Sequence, residues 1–392
     1  MSIRSSALRR VAAIGAGIVL RSGTRKEPEG DFKGDSIHLV SPASHGSLGD
    51  EALIHGSVNI NERHGYRNLL IASGDLADWG AVGTRGLSAD DAERWGGLKW
   101  DLPSQDLSHK LVVIGADSID GVYGLRSVTA RIGLLNAHAE RGGDAHLANF
   151  SLKKAPPSDA MKLLRLLRPE VKLSARDALS QARAEKFLER EVSMSPDVAQ
   201  HLVPEATPRV IRFAEKVAER RGGRPVVVLV PNAHYGALYG DAEKIGNAFR
   251  LLLKSLVDRG FFTVLLAHDL RASPGDPALL AHMAEGVPPS QTMSFLPTSA
   301  MEAKAVVALA DGVITGRMHA AVAALSQDIP VLGLDYVDKF IGQFDWYGAG
   351  SNVVGWEELF SAEQVTSAFE EALRTNPATA RTVALKLPAW LR

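Results

Sequence analysis

An α/β architecture of two doubly wound domains facing across a cleft is predicted by three observations. At 392 residues the chain is too long for one ordinary core. Short apolar, β-branched runs alternate with helical stretches, in one series over residues 36–202 and another over 209–355. The polar residues that end these runs fall where the carboxyl ends of the strands would lie, the edge at which open α/β sheets bind ligands. Two Rossmann-like domains follow, with a lead-in over 1–35 and a helical tail over 356–392.

In chain order, Arg4, Arg9 and Arg10 precede an apolar run over 11–20 that imitates a signal peptide. That run is too short to span a bilayer, and 21–30 lacks a small-x-small cleavage site. A helical lead-in or a loose membrane contact fits it better. Residues 36–40 read as the first strand, running into a Gly- and Ser-rich loop and a helix from Glu51. Asp50 either caps that helix or meets a ligand. Residues 67–72 are the second strand. The irregular stretch 75–106 holds Trp79, Trp95 and Trp100, which either stack on a sugar or form a satellite packing cluster. The strand 110–117 ends in Asp117, Asp120 and Tyr123, a site for chemistry or an Asx-turn. A helix over 126–141 and a strand over 145–150 lead to a helix ending at Leu167. The strand 171–177 then delivers Arg176 and Asp177 to a helix with Ser180, and a short strand ends in Asp197. Residues 202–208 have the composition of a linker.

The second series opens with a helix over 209–221 and a strand over 224–230 that ends in Asn232 and His234. A helix over 241–260 precedes a strand ending in His268 and Asp269; a short strand at 293–296 and a helix over 301–310 follow. The strand 312–315 is broken by Gly316, and Arg317, Met318 and His319 open an alanine-rich helix. The free N–H groups and positive dipole end of that helix point where Arg317 and His319 sit, which makes an anion site. The plainer reading pairs Arg317 with a structural carboxylate. Lys339, past the next strand at 329–334, adds a third cation. The stretch 356–374 reads as a helix that crosses back to brace the first domain.

A formal net charge of −1 excludes nucleic acid as the main partner. The absence of cysteine fits the cytoplasm, and no His-x-x-x-His or Cys pattern marks a metal site. No Gly-x-Ser-x-Gly elbow supports a serine hydrolase. What remains is a cationic cradle of Arg317, His319, Lys339 and Arg176 facing Asp50, Glu51, Asp117 and Asp120. Met318, Asn232, His234 and His268 stand at the same strand ends as further donor-side candidates. That division of charge suits transfer of a group from an anionic donor to hydroxyls of a neutral acceptor.

These residues carry a resemblance. Gly49-Asp50-Glu51-Ala52, Gly115-Ala116-Asp117-Ser118-Ile119-Asp120, Arg176-Asp177 with Ser180, and Pro196-Asp197 fall in an order similar to that of the polysaccharide pyruvyltransferase family. So do Thr315-Gly316-Arg317-Met318-His319-Ala320, Ile329-Pro330-Val331 and Tyr336-Val337-Asp338-Lys339. The chain departs from the family pattern at Gly115-Ala116-Asp117 and at Asn149-Phe150-Ser151, where many members are richer in glycine. The resemblance implies a fold similar to GT-B glycosyltransferases, with the acceptor on the first domain and the donor on the second. It implies phosphoenolpyruvate as donor substrate, no separate cofactor, and a cyclic pyruvate ketal formed on a saccharide acceptor. Arg317 and His319 fall on the family's donor-binding Arg and His. Asp50, Asp117 and Asp120 are alternative bases, and His319 is a proton source or donor ligand. The expected place is the cytoplasm or the inner face of the membrane; a lipid-linked acceptor and a homo-oligomer are both compatible. A nucleotide-sugar glycosyltransferase or a non-catalytic saccharide binder are the other readings of the same residues.

Overall fold

The computed structural model describes residues 36–42, 46–71, 110–121, 124–271, 275–336, 338–374 and 380–392. The expectations for the lead-in 1–35, for Trp79, Trp95 and Trp100, and for Tyr123 lie outside these residues. The first sheet contains β1 (Ser36–Val40), β2 (Arg67–Ile71), β3 (Lys110–Ala116), β4 (Ala145–Phe150), β5 (Lys172–Ala175) and β6 (Ser193–Met194), in the order β2-β1-β3-β4-β5-β6. The second contains β7 (Val226–Val230), β8 (Phe262–Leu266), β9 (Thr292–Phe295), β10 (Gly312–Thr315), β11 (Val331–Asp335) and β12 (Val353–Gly355), in the order β12-β11-β10-β7-β8-β9. Every pairing is parallel. Helices on both faces bury the strands, so β4 and β7 are buried along their whole length.

The helices of the first half are α1 (Leu48–Arg63), α2 (Leu125–Glu140), α3 (Ser158–Leu164) and α4 (Ala178–Leu188). Those of the second are α5 (Pro208–Arg220), α6 (His234–Tyr239), α7 (Ala242–Asp258), α8 (Asp276–Ala284), α9 (Ala300–Val307), α10 (Met318–Leu325), α11 (Phe340–Asp345), α12 (Ala362–Ala372) and α13 (Ala380–Ala384). Where a side chain caps the first turn, the periodicity reveals the helix: Asp177 caps α4, Asp241 caps α7 and Ser299 caps α9. The short helices α6, α8 and α11, of six, nine and six residues and without a side-chain cap, are not disclosed by the sequence pattern.

Strand order reverses between β1 and β3 in one sheet and between β7 and β10 in the other. The loops leaving those four strands are therefore where a ligand crevice opens. The two halves are joined along this edge. The Leu48 N–H donates to the His268 carbonyl (3.3 Å) and the Leu270 N–H to the Gly46 carbonyl (2.8 Å), an antiparallel bridge between Ser47 and Asp269. One hydrophobic core is common to both halves: Leu48, Ile54 and Val58 of α1 pack with Ala300 and Ala303 of α9 and Val322 of α10.

The tail divides in two. Helix α12 packs on α7 and the second sheet, so the stretch expected to cross back does not. The last residues make the crossing. Trp390 is fully buried in the first-domain core, and its indole N–H donates to Asn61 Oδ1 (2.9 Å). Lys110 Nζ donates to the Trp390 carbonyl at 2.8 Å. Among the described residues no helix is long and apolar enough to cross a membrane.

Candidate functional site

A pocket of about 100 Å³ opens where the switch-point loops meet. The first half contributes Ser47 and Gly49 at the start of α1, Asp117 after β3 and Arg176 after β5. The second contributes His268 and Arg271 after β8, Arg317, Met318 and His319 at the start of α10, and Tyr336 and Lys339 after β11.

The turn from β10 into α10 is built by close packing. A Cβ on Gly316 would lie 2.6 Å from the Tyr235 hydroxyl, so only glycine fits. The Arg317 N–H donates to Thr315 Oγ1 (2.8 Å), and Asn232 Nδ2 donates to the Gly316 carbonyl (2.9 Å). Asn232 Oδ1 accepts the His234 N–H (3.0 Å), so this buried amide is occupied by backbone and does not line the pocket. His234 also stands outside the lining; burial first, then Arg317, lowers its pKa.

Arg317 is paired with carboxylates, as the plainer reading of its position has it, and it also borders the pocket. Its Nη2 donates to buried Asp276 and its Nη1 to Asp269 (3.4 Å), yet the side chain lines the pocket. Asp276 also accepts N–H bonds from Ala233, His268 and Asp269, at 3.1, 3.0 and 2.9 Å. Burial opposes the Arg317 charge, but Asp276 and Asp269 together hold the guanidinium above its ordinary pKa. Burial, with Arg317 and His319 nearby, pushes His268 down to about 3, so its ring faces the pocket neutral.

His319 sits between the two halves. Its Nε2 lies 3.4 Å from Arg176 Nη1 and 3.6 Å from Asp197 Oδ2. On its other side a Cβ on Gly49 would come within 2.4 Å of Nδ1. Arg176 is buried. Its Nε donates to Ser151 Oγ (2.7 Å) and its Nη1 to Asp197 Oδ2 (3.1 Å). Its carbonyl accepts Trp346 Nε1 at 2.9 Å and Gln343 Nε2 at 3.1 Å from the other half. Ser151 follows β4, in which Asn149 takes a left-handed conformation (φ +53°) at a register shift.

Lys339 Nζ donates to Asp117 Oδ2 at 2.9 Å. Burial would raise the Asp117 pKa, but Lys339 and then Arg176 drive it well below the ordinary carboxylate range. Asp50, in the first turn of α1 behind the cap Ser47 and outside the pocket lining, moves the other way, raised by burial and by ionised Asp117. Two interacting carboxyls are thus pushed apart in pKa. Asp120 is fully buried and does not line the pocket. Met318 lines it and packs on the second-half core. Sequence reasoning missed Arg271, in the loop after β8, and Asp276, the first residue of α8; the one signal was the Asp269 already noted near them. Among the described residues no group of three or more His, Asp or Glu is placed to hold a metal ion.

Two parallel sheets meeting at their switch-point loops define the GT-B class of two-domain α/β proteins. The chain is similar to a glycosyltransferase from Rickettsia africae ESF-5, with 10% identity over 90% of this chain and 94% of that one, at a TM-score of 0.55. It is similar to the UDP co-structure of S. aureus MnaA (10% identity, 89% and 94% covered, TM-score 0.57). A UDP-GlcNAc 2-epimerase from Neisseria meningitidis bound to UDP-GlcNAc gives 12% identity, 89% and 98% coverage and a TM-score of 0.52. At these identities the likeness is one of fold. No curated protein matches the chain in sequence. The model of the polysaccharide pyruvyl transferase family matches residues 48–338. The chain belongs to that family and is a transferase.

Proposed function

We propose that this enzyme moves the enolpyruvyl group of phosphoenolpyruvate onto two hydroxyls of one sugar in a polysaccharide or its precursor. The observation that carries the reading is the convergence of Arg317, His319, Arg176 and Lys339, from both halves, on one pocket. A donor with a phosphate and a carboxylate needs several cations and a helix N-terminus, and the opening of α10 offers both. Arg317, Arg176 and Lys339 hold the two anionic groups, with neutral His268 beside them. His319 protonates the methylene carbon, making C2 an oxocarbenium-like centre. Asp50 takes the proton of the attacking sugar hydroxyl, while Asp117 stays ionised to hold Lys339. Phosphate leaves C2 and the second hydroxyl closes the ketal. One proton ends on the new methyl group; the balance leaves with phosphate. The reaction would run in the cytoplasm, at the inner membrane face for a lipid-linked acceptor.

Thermal-shift titration with phosphoenolpyruvate, UDP, GDP and CMP tests this on wild type and Arg317→Ala. Ligand binding to the native state alone raises Tm by mass action. The expected result is a rise with phosphoenolpyruvate that Arg317→Ala abolishes. A rise with a nucleotide and none with phosphoenolpyruvate would replace the reading with a nucleotide-sugar glycosyltransferase, in keeping with the UDP-bound proteins of similar fold.

A further inference from the structure

Arg271 reaches the pocket from the loop after β8, and the two halves of the chain position it together. Its stem lies along Gly46, where an added Cβ would come within 3.0 Å of Arg271 Cγ and φ is +98°. The residue before it is fixed by the Leu270 N–H bond to the Gly46 carbonyl. The guanidinium grips Asp269 with both arms of its fork, Nε to Oδ1 at 2.9 Å and Nη2 to Oδ2 at 2.7 Å. The same Oδ2 accepts Arg317 Nη1 at 3.4 Å. Asp276 lies behind Arg317, its oxygens also engaged by three backbone N–H groups. On the pocket side, then, two guanidiniums share one carboxylate. Arg271 also lies close enough to Asp50, on the opposite half, to lower that carboxyl against the effect of burial. Its side chain is 47% exposed, against 16% for Arg317 and 10% for Lys339, so it is the outermost of these cations.

We propose that Arg271 is a further donor-binding residue: at the pocket mouth it takes the phosphate or carboxylate of the incoming donor, exchanging part of its fork from Asp269 to that anion. The planar fork suits both oxyanions, and Asp269 holds it in place until the donor arrives. The inference rests on the anionic-donor reading above and deepens it with a residue outside the α10 motif.

Isothermal titration calorimetry of the full chain with phosphoenolpyruvate, and separately with UDP, tests it on wild type, Arg271→Gln and Arg271→Lys. Because the side chain is half exposed, both variants are expected to keep the wild-type Tm. Loss of a charge-assisted bond should raise the phosphoenolpyruvate Kd roughly 10- to 100-fold in Arg271→Gln, with Arg271→Lys between the two. A Kd in Arg271→Gln within roughly threefold of wild type, well under the effect of one charged hydrogen bond, would overturn the inference and leave the donor reading intact. Wild type binding UDP and not phosphoenolpyruvate, with UDP weakened in Arg271→Gln, would overturn the donor reading while supporting Arg271 as the anion ligand. Wild type binding neither ligand would overturn both.

Discussion

Lys339 and Asp117 stand 222 positions apart and meet at 2.9 Å across the cleft, one from the loop after β11 and the other from the end of β3. Each is what keeps the other charged under burial. Lys339→Met leaves Asp117 without its chief counter-ion. We expect a loss of about 2 kcal/mol in urea unfolding, discounted from the buried-pair range because Asp117 is partly exposed. In a double-mutant cycle Asp117→Asn should recover part of that loss. Additive effects would show that the contact contributes no coupling.

Gly49, in the first turn of α1, makes room for His319. A methyl group placed there meets Nδ1 at 2.4 Å, and the ring has to leave its place beside Arg176 and Asp197. Gly49→Ala should therefore lower kcat for phosphate release by at least ~10-fold, and His319→Gln by ~100-fold or more, the size of a general-acid contribution. Both should fold, as circular dichroism would confirm. Full turnover in Gly49→Ala would mean that His319 tolerates displacement, and the proton-donor role would have to move elsewhere.

Glu51 makes stability depend on pH. It is buried against α9, and burial pushes its carboxyl from 4.5 up to about 7, the Ala300 N–H only partly opposing. The native state keeps this proton where the unfolded chain has released it. Stability is then lost as pH rises between about 4.5 and 7 and stays lost above that window. Glu51→Gln should match wild type under more acidic conditions and exceed it above the window by up to about 3 kcal/mol. Urea midpoints measured across the range decide it: a gain that does not vary with pH would remove the titration argument.

Much of this molecule was legible in the order of its residues. Buried strands such as β7 and β10 show as β-branched runs, because a parallel sheet covered on both faces leaves no polar alternation to obscure them. Arg317 and His319 were legible because Gly316 breaks a strand just before an alanine-rich helix. Asn232 looked like a donor contact because it ends a strand. The structure uses its amide to close the β10 turn, and an Asn that satisfies backbone looks the same in sequence as one that awaits a ligand. Arg271 and Asp276 were hidden for another reason. Their surroundings are made by pairings between distant segments, the Leu270 bond to Gly46 and the Asp276 bond to Ala233, which no local pattern encodes.

That the core containing α1 also holds Ala300, Ala303 and Val322 bears on modular engineering. A chimera cut at the linker near residue 205 would strip α1 of the surface it packs on and strand Trp390, a residue of the second half seated in the first. The exchangeable unit is therefore not a half-chain. Donor and acceptor specificities could be recombined only by carrying α1, α9, α10 and the terminal segment as one graft.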